Sequence, residues 1–401
     1  MRRDDSIRLA IGLMALLLPY AGSFTAIILL VLSFLDRSSR MLSVSLASLL
    51  ILTQILAIIH IDLPIYIIAV SFVASTLAPF AYRKFNALAG SMLYIIVTVL
   101  LGYPLATLIS FGSQPPERIL FICLLGALSG AFLYNVSKER DFIVPFGTCM
   151  VMWLFSFDYP LPPLGRIVMI SIFGLILGLG AYWAKAADSD AVLSETIISL
   201  LIILFGGLSW FFLLLAFYLL GGVFTNYGYK VKHSLGIAQS QGGVRGYKNV
   251  YSNSLIPLAM AVCYGVYGNS IFIYAYIASV ATATGDTLAS EIGETSISKP
   301  IMITSLKVVE PGIDGGVTLL GEAASLFGSI IIALLAIGMG MAQYSAILAG
   351  TAGGFLGTNF DSLLGATLQK RGMLTNNGVN LFATLFGAIV GAGLWWIIQI
   401  I

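Results

Sequence analysis

The chain has 401 residues, of which 59% are hydrophobic and only 9% are charged, so an ordinary soluble protein is excluded and an integral membrane protein is indicated. Its 20 Lys and Arg residues nearly balance its 18 Asp and Glu residues, and a net charge of +2 excludes nucleic-acid binding as a main function. Three cysteines without a CxxC motif and two isolated histidines exclude a zinc site built from these residues.

Charge-free apolar runs predict the membrane spans of the first half, because a bilayer core requires about 20 apolar residues in a helix. The run 9–35 is interpreted as a first span and not as a signal peptide, since further spans follow it. Six more segments follow from the same rule, namely 42–60, 65–82, 87–110, 119–135, 142–157 and 165–184. Basic clusters fall on alternate loops between them, and the positive-inside tendency places those loops in the cytoplasm.

The second half contains three charge-free stretches, 196–229, 249–285 and 323–360, each too long for one span. Small residues interrupt each stretch near its middle, so each is predicted to form two short helices that return to the same side. The predicted fold is an all-α polytopic membrane protein with about 12–15 transmembrane helices, several of them short and paired as hairpins.

A polar linker at 185–190 separates two regions of different character. Residues 1–185 are predicted to form an N-terminal transmembrane bundle of unknown role. Residues 190–401 contain the clustered polar side chains, so any chemistry is expected in this second domain.

The segment 285–293 carries the strongest signal for a site. A helix would place Asp286, Ser290 and Gly293 on one face, with Glu291 on a neighbouring stripe. Carboxylate and hydroxyl oxygens at a membrane boundary can hold Mg²⁺, which prefers oxygen ligands and shares them with substrate phosphates. A solvated helix end with ordinary charges is the alternative interpretation.

A glycine-rich loop follows Lys307 and leads into the next apolar run, at 311–316. Its backbone N–H groups, the N-terminus of the following helix and the lysine charge together predict a phosphate-binding loop. No Walker A motif occurs in the chain. Taken alone, such glycines are also common in turns.

Two further features remain open between function and structure. Asp361 ends the uncharged run 323–360 and is either a loop charge or a second metal-binding carboxylate. Lys230, Arg245 and Lys248 either bind phosphate or reflect positive-inside topology alone. The glycines of the segment 350–357 are interpreted as close helix contacts.

The order of these motifs resembles one known family. Asn253, the segment 285–293, Lys307, the loop 311–316 and the segment 361–369 together resemble the transmembrane protein 19-like family, long described as domain of unknown function 92. The family includes the plant phytyl-phosphate kinase, and the resemblance covers about residues 190–400. The motifs are similar, more distantly, to those of CTP-dependent polyprenol kinases and CDP-diglyceride synthases.

The resemblance implies a membrane prenyl-phosphate kinase that transfers a phosphoryl group from CTP, or another nucleoside triphosphate, to an isoprenoid monophosphate such as phytyl or geranylgeranyl phosphate. It implies catalytic roles for Asp286, Lys307 and Glu291, with Mg²⁺ held by Asp286, Glu291 and Asp361. The implied phosphate- and nucleotide-binding residues are Ser290, Gly312, Asp314, Gly315, Gly316, Lys230, Arg245 and Asn253.

The expected location is the cell membrane, with the site open to the cytoplasm. Two other enzyme classes stay possible, a cytidylyltransferase and a polyprenol kinase acting on a lipid alcohol. A lipid or solute transporter would also contain glycine-broken helices and rare acidic residues. The acidic residues cluster at predicted span ends and not in mid-span, which favours surface chemistry over transport.

Overall fold

A computed structural model describes residues 3–225, 227–234, 236 and 246–400 of the protein. These residues form an all-helical membrane protein, which confirms the predicted fold class. Within the described ranges, 11 helical segments are long and apolar enough to cross a bilayer. Three more of the described helices, of 15, 17 and 20 residues, are shorter or less apolar, and a fourth has only 6 residues.

The chain divides into two compact units, Met1–Leu175 and Ile176–Ile401. The helices of the first unit are α1 (Arg3–Leu13), α2 (Leu18–Leu35), α3 (Arg40–Ile58), α4 (Ile65–Thr76), α5 (Ala87–Ser110), α6 (Pro116–Val136) and α7 (Arg140–Leu154). The division between the units falls within α8 (Leu164–Trp183), about ten residues before the polar linker.

Local signals explain the boundaries in the first unit. The side chain of Asn86 caps α5 by accepting a 2.9 Å hydrogen bond from the backbone N–H of Ala89. Pro116 occupies the first turn of α6, where a missing N–H costs no hydrogen bond. The six spans predicted between residues 42 and 184 correspond closely to the observed helices α3 to α8.

The second unit contains eight further helices and a small antiparallel ribbon. These helices are α9 (Ser189–Phe205), α10 (Leu208–Thr225), α11 (Tyr229–Ser234), α12 (Tyr247–Tyr267), α13 (Ile271–Gly293), α14 (Leu319–Gly338), α15 (Ser345–Leu364) and α16 (Asn376–Ile400). The ribbon pairs β1 (Ile301–Met302) with β2 (Gly316–Val317). A single π turn, Gly365–Gln369, extends α15.

Each long charge-free stretch of the second half is a pair of helices, as predicted. The pairs α9/α10, α12/α13 and α14/α15 break at Gly206-Gly207, at Gly268 to Ser270 and at Met339 to Tyr344. The individual helices are longer than the predicted short ones, at 17 to 23 residues. They gain this length because they continue into the polar flanking segments; α13, for example, includes Asp286 and Glu291.

Helix α13 lies at the centre of the second unit and packs against α12, α14, α15 and α16. The glycines of α15 make this packing close. A Cβ atom added at Gly353 would lie 2.7 Å from the Ala278 Cβ on α13 and 2.9 Å from the Gly387 carbonyl oxygen on α16. The predicted packing role of these glycines is therefore confirmed, and a bulkier side chain there would separate three helices.

Candidate functional site

A polar cavity of about 280 Å³ lies at the C-terminal end of α13. Its walls are the last two turns of α13, the loop 311–317, the first turn of α14, the end of α15 with its π turn, and the start of α16. All of these segments belong to the second unit. The cavity thus forms where apolar helices end and connecting segments begin.

Helix α13 presents its predicted face to this cavity. Asp286, Ser290 and Gly293 all line it, as expected for residues spaced by four and three positions in a helix. Glu291 and Glu294, on the neighbouring stripe, line it as well. Gly293 allows α14 to approach closely, since an added Cβ would lie 3.1 Å from the Cα of Gly321.

The cavity is strongly acidic. Six carboxylates line it, namely Asp286, Glu291, Glu294, Asp314, Glu322 and Asp361. Within the described ranges, no lysine, arginine or histidine side chain lines the same cavity. A surface of this charge repels a free phosphate and attracts cations, so an anionic ligand would have to enter together with cations.

Asp361 provides the clearest sign of a missing partner. Its Oδ2 atom is buried and has no hydrogen-bond partner. The carboxylate also interacts electrostatically with Asp286 and Asp314, both of which repel it. A buried, unpartnered carboxylate oxygen beside two other acids is costly unless a cation or a proton neutralises it, so these residues fit a divalent cation.

Two other carboxylates are held by side-chain amides. Asn359 Nδ2 donates to Glu322 Oε2 at 2.9 Å, and Gln369 Nε2 donates to Asp314 Oδ2 at 2.8 Å. Hydrogen bonds of this kind fix the orientation of a carboxylate, as is usual for metal ligands and phosphate-site residues. They connect α14 to α15 and the glycine-rich loop to the π turn.

The loop 311–316 lies directly against the end of α15. Gly315 has a left-handed backbone with φ of +81°, and an added Cβ would lie 2.5 Å from the Ala366 Cβ and 2.7 Å from the Ser362 carbonyl oxygen. Only glycine satisfies both requirements. Gly312, Gly315 and Gly316 all line the cavity, so the predicted phosphate-loop glycines lie beside Asp314 and Asp361.

Glu291 is engaged by a lysine. The ammonium group of Lys232, on α11, forms a buried ion pair with Glu291 Oε2 and donates a 2.9 Å hydrogen bond to the Thr225 carbonyl oxygen. Both side chains are only 3% exposed, so water cannot screen this pair. Although Glu291 borders the cavity, its charge is balanced from the opposite side.

Glu294 follows the last residue of α13 and is partly buried. Burial, together with the nearby charge of Glu291, raises the pKa of this carboxyl to about 7, against a smaller opposing effect of Lys232. Near neutral pH, Glu294 therefore exists in both protonation states.

The predicted basic residues lie elsewhere. Lys307 is exposed and does not line the cavity; its carbonyl oxygen accepts a 2.8 Å hydrogen bond from the Met302 N–H next to the ribbon. Lys230 is exposed on α11 and also lies outside the cavity lining. Arg245 lies outside the described residues.

Asn253 does not line the cavity either. It is buried within α12, and its amide donates a 3.0 Å hydrogen bond to the Asn249 carbonyl oxygen one turn earlier. The cavity is instead lined by Asn249. Ser254, the next residue along α12, forms a 2.6 Å hydrogen bond with the hydroxyl of Tyr218 on α10.

In the described part of the chain, no group of three or more Asp, Glu, His or Cys side chains is arranged to hold a metal ion unaided. This geometry differs from that of a closed structural metal site. It is compatible with Mg²⁺, which commonly binds one or two carboxylates and completes its octahedron with water and substrate phosphates.

Glu322 and Lys232 are two site residues that the sequence motifs do not indicate. Glu322 had a detectable signal, because it immediately precedes the uncharged stretch 323–360 that Asp361 follows. A hairpin returns both ends of such a stretch to one side, which brings the two acids together. Lys232 had no comparable signal, since it is one of several basic residues in its loop.

Comparison with known proteins agrees with this architecture. The family model described as integral membrane protein DUF92 matches residues 172–388. An uncharacterised membrane protein of Methanocaldococcus jannaschii is 35% identical over 226 residues, covering 56% of this chain and 93% of that protein. An uncharacterised membrane protein of Synechocystis is 33% identical over 199 residues, covering 48% and 77%.

A plant relative is more distant. The chloroplastic protein VTE6 of Arabidopsis thaliana is 27% identical over 202 residues, covering 47% of this chain and 61% of that protein. No solved structure matches the chain.

Proposed function

The chain belongs to the DUF92 family of integral membrane proteins, and we propose that its second unit is a metal-dependent prenyl-phosphate kinase. The substrates would be CTP, or another nucleoside triphosphate, and an isoprenoid monophosphate such as phytyl or geranylgeranyl phosphate. The site would open to the cytoplasmic side of the cell membrane, in accordance with the positive-inside distribution of the basic loops.

The observation that carries the proposal is the acidic cavity with its unpartnered Asp361 oxygen beside a glycine-rich loop. Phosphoryl transfer depends mainly on positioning and charge neutralisation, for which oxygen ligands and oriented N–H groups are suited. The similarity to the chloroplastic plant relative and the motif resemblance to phytyl-phosphate kinase supply the substrate class.

In the proposed reaction, a terminal oxygen of the prenyl monophosphate attacks the γ-phosphorus of CTP. The bond from that phosphorus to the β,γ-bridging oxygen breaks, CDP leaves, and a prenyl diphosphate forms. The acceptor phosphate has a second pKa near 6, so it is already an anionic nucleophile at neutral pH and requires no general base. A lipid alcohol would require one.

The residues of the cavity have distinct parts in this proposal. Asp286 and Asp361 would hold Mg²⁺, which neutralises charge on the transferred phosphoryl group. The N–H groups of the loop 311–316 and the N-terminus of α14 would orient phosphate oxygens. Asn359 and Gln369 keep Glu322 and Asp314 in fixed orientations through their hydrogen bonds.

The test uses the purified full-length protein with Mg²⁺, γ-labelled CTP and geranylgeranyl or phytyl monophosphate, followed by separation of the lipids. The expected result is label in a prenyl diphosphate, and none with Asp286→Asn. Label transferred to lipid only from α-labelled CTP would indicate a cytidylyltransferase and contradict the kinase. No transfer from either position by the folded protein would contradict both activities.

A further inference from the structure

We infer that Lys232 is a positioning residue for the cavity, and that Glu291 serves as its buried counter-ion and not as a metal ligand. The inference rests on the metal-dependent function proposed above and deepens it, because it divides the six carboxylates into two groups. One carboxylate is neutralised by the protein itself, and the others are left to act on cations.

The first step is the geometry of the pair. Lys232 Nζ contacts Glu291 Oε2 and the Thr225 carbonyl oxygen, while the hydroxyl of Thr225 donates to Glu291 Oε1 at 3.3 Å. Both carboxylate oxygens of Glu291 are thus engaged from the side of α10 and α11. Each oxygen of this carboxylate therefore has a hydrogen-bond partner from the protein without a metal ion.

The second step is how the segment is attached. Gly228, one turn before Lys232, lies against Thr295, one turn after Glu291. Gly228 has a left-handed backbone with φ of +63°, and an added Cβ would collide with the Thr295 methyl group. Two contacts one turn apart therefore connect α11 and the residue before it to the C-terminal end of α13. Ser290 in the last turn of this helix and Glu294 just beyond it both line the cavity.

The third step concerns charge. A buried acid without a cation would add a negative charge to the cavity wall, whereas a paired acid adds nearly none at a distance. Removing Lys232 alone should strengthen cation binding, and removing Glu291 alone should weaken it. Removing both leaves the net charge unchanged, so a purely electrostatic role predicts near wild-type affinity in the double variant.

These expectations form a cycle of four proteins, namely the wild type, Lys232→Met, Glu291→Leu and the double variant. The readouts are Mn²⁺ affinity, followed by electron paramagnetic resonance of the full-length protein in detergent, and the melting temperature. Relative to wild type, we expect roughly tenfold tighter Mn²⁺ binding for Lys232→Met and roughly tenfold weaker binding for Glu291→Leu. The double variant should remain within about threefold.

Two reference variants calibrate the cycle. Asp361→Asn removes a proposed ligand and should weaken Mn²⁺ binding by well over tenfold. Lys299→Met breaks the exposed pair with Glu310, whose side chains are 60% and 72% exposed, and should change neither readout. Each buried single variant should melt at a lower temperature than wild type, and the double variant should recover much of that loss.

The outcomes separate the possibilities. If the folded double variant loses as much Mn²⁺ affinity as Asp361→Asn, Glu291 is a metal ligand and the inference is overturned. If Lys232→Met has the melting temperature and the Mn²⁺ affinity of the wild type, the proposed role of the Lys232–Glu291 ion pair is contradicted. If the wild type binds no Mn²⁺, both the proposed metal-dependent function and the positioning role of Lys232 are contradicted. If the melting temperature nevertheless recovers in the double variant, Lys232 is only a structural partner of Glu291.

A positioning role is distinguished from a merely structural one by turnover. Lys232→Arg keeps the charge and should restore melting and Mn²⁺ affinity, but the larger guanidinium should displace the last turn of α13. We therefore expect its kcat for phosphoryl transfer to fall about tenfold while Mn²⁺ affinity stays near wild type. Full wild-type kcat in Lys232→Arg would contradict positioning.

Discussion

The two units of the protein treat their charged side chains in opposite ways. In the first unit, Arg8 Nη2 donates to both carboxylate oxygens of Asp141, at 2.8 and 2.7 Å, and Arg83 pairs with Asp5. These pairs join α1 to α7 and to the short 3₁₀ helix that follows α4. In the second unit, acids from α13, α14, α15 and a loop converge on one cavity instead.

This difference distinguishes charges that stabilise the fold from charges that are available to bind a ligand. A charge that is paired across two helices stabilises their arrangement and has no further capacity for a ligand. Acids gathered without matching bases destabilise the protein on its own and favour a bound cation. The Lys232–Glu291 ion pair lies at the edge of the cavity in the second unit, but it resembles the structural ion pairs of the first unit.

The largest expected effect comes from the uncompensated acids. Asp286→Asn and Asp361→Asn should each lower phosphoryl transfer from CTP by about 1,000-fold or more, because a neutral amide cannot hold Mg²⁺ as a carboxylate does. The assay is label transfer to lipid, with melting as a check on folding. Asp158→Asn, at the fully exposed partner of Arg118 in the first unit, is the matched control and should keep full activity. Wild-type turnover in both variants would show that the active site does not lie in this cavity.

The next effect concerns the glycine-rich loop. Gly315→Ala should reduce kcat by roughly 10- to 100-fold, because the added Cβ meets Ala366 and the left-handed backbone is strained. Gly180→Ala, at a position with open space around it, provides the control and should behave as wild type. Equal kinetics for the two variants would show that the loop does not position substrate.

A change in the first unit should affect stability and not turnover. Asp5→Asn removes the partner of Arg83, whose side chain is 44% exposed and can still reach solvent or headgroups. We expect the melting temperature to fall by roughly 2–5 °C, with kcat per folded protein unchanged. A large loss of kcat without a change in melting would contradict the division of roles between the units.

The smallest effect is a pH dependence from Glu294. Its pKa is raised to about 7 in the folded protein from an ordinary value of 4.5. Between these values the folded state binds one more proton than the unfolded state, so stability contributed by this group falls as pH rises from about 4.5 to about 7 and is constant above.

Glu294→Gln removes this dependence. The variant should therefore gain melting temperature relative to wild type as pH rises through this window, and the gain should level off above pH 7. Melting curves of both proteins at pH 5, 6, 7 and 8 measure the difference. A constant difference across the series would contradict the raised pKa.

The helices and their pairing could be predicted from the amino-acid pattern alone. Long uncharged runs with glycine breaks specify where spans begin and turn, because charge is excluded from a bilayer core over a known length. The helical period also placed Asp286, Ser290 and Gly293 on one face, which the structure confirms.

Which acids share a cavity, and which basic residues approach it, became evident only from the packing of the helices. Glu322 and Asp361 line the same cavity because α14 and α15 form a hairpin that returns to the same side. Lys232 forms an ion pair with Glu291, whereas Lys307 is exposed. These outcomes depend on contacts between helices far apart in the chain. Local spacing along one helix contains no information about which side chain of another helix will lie opposite.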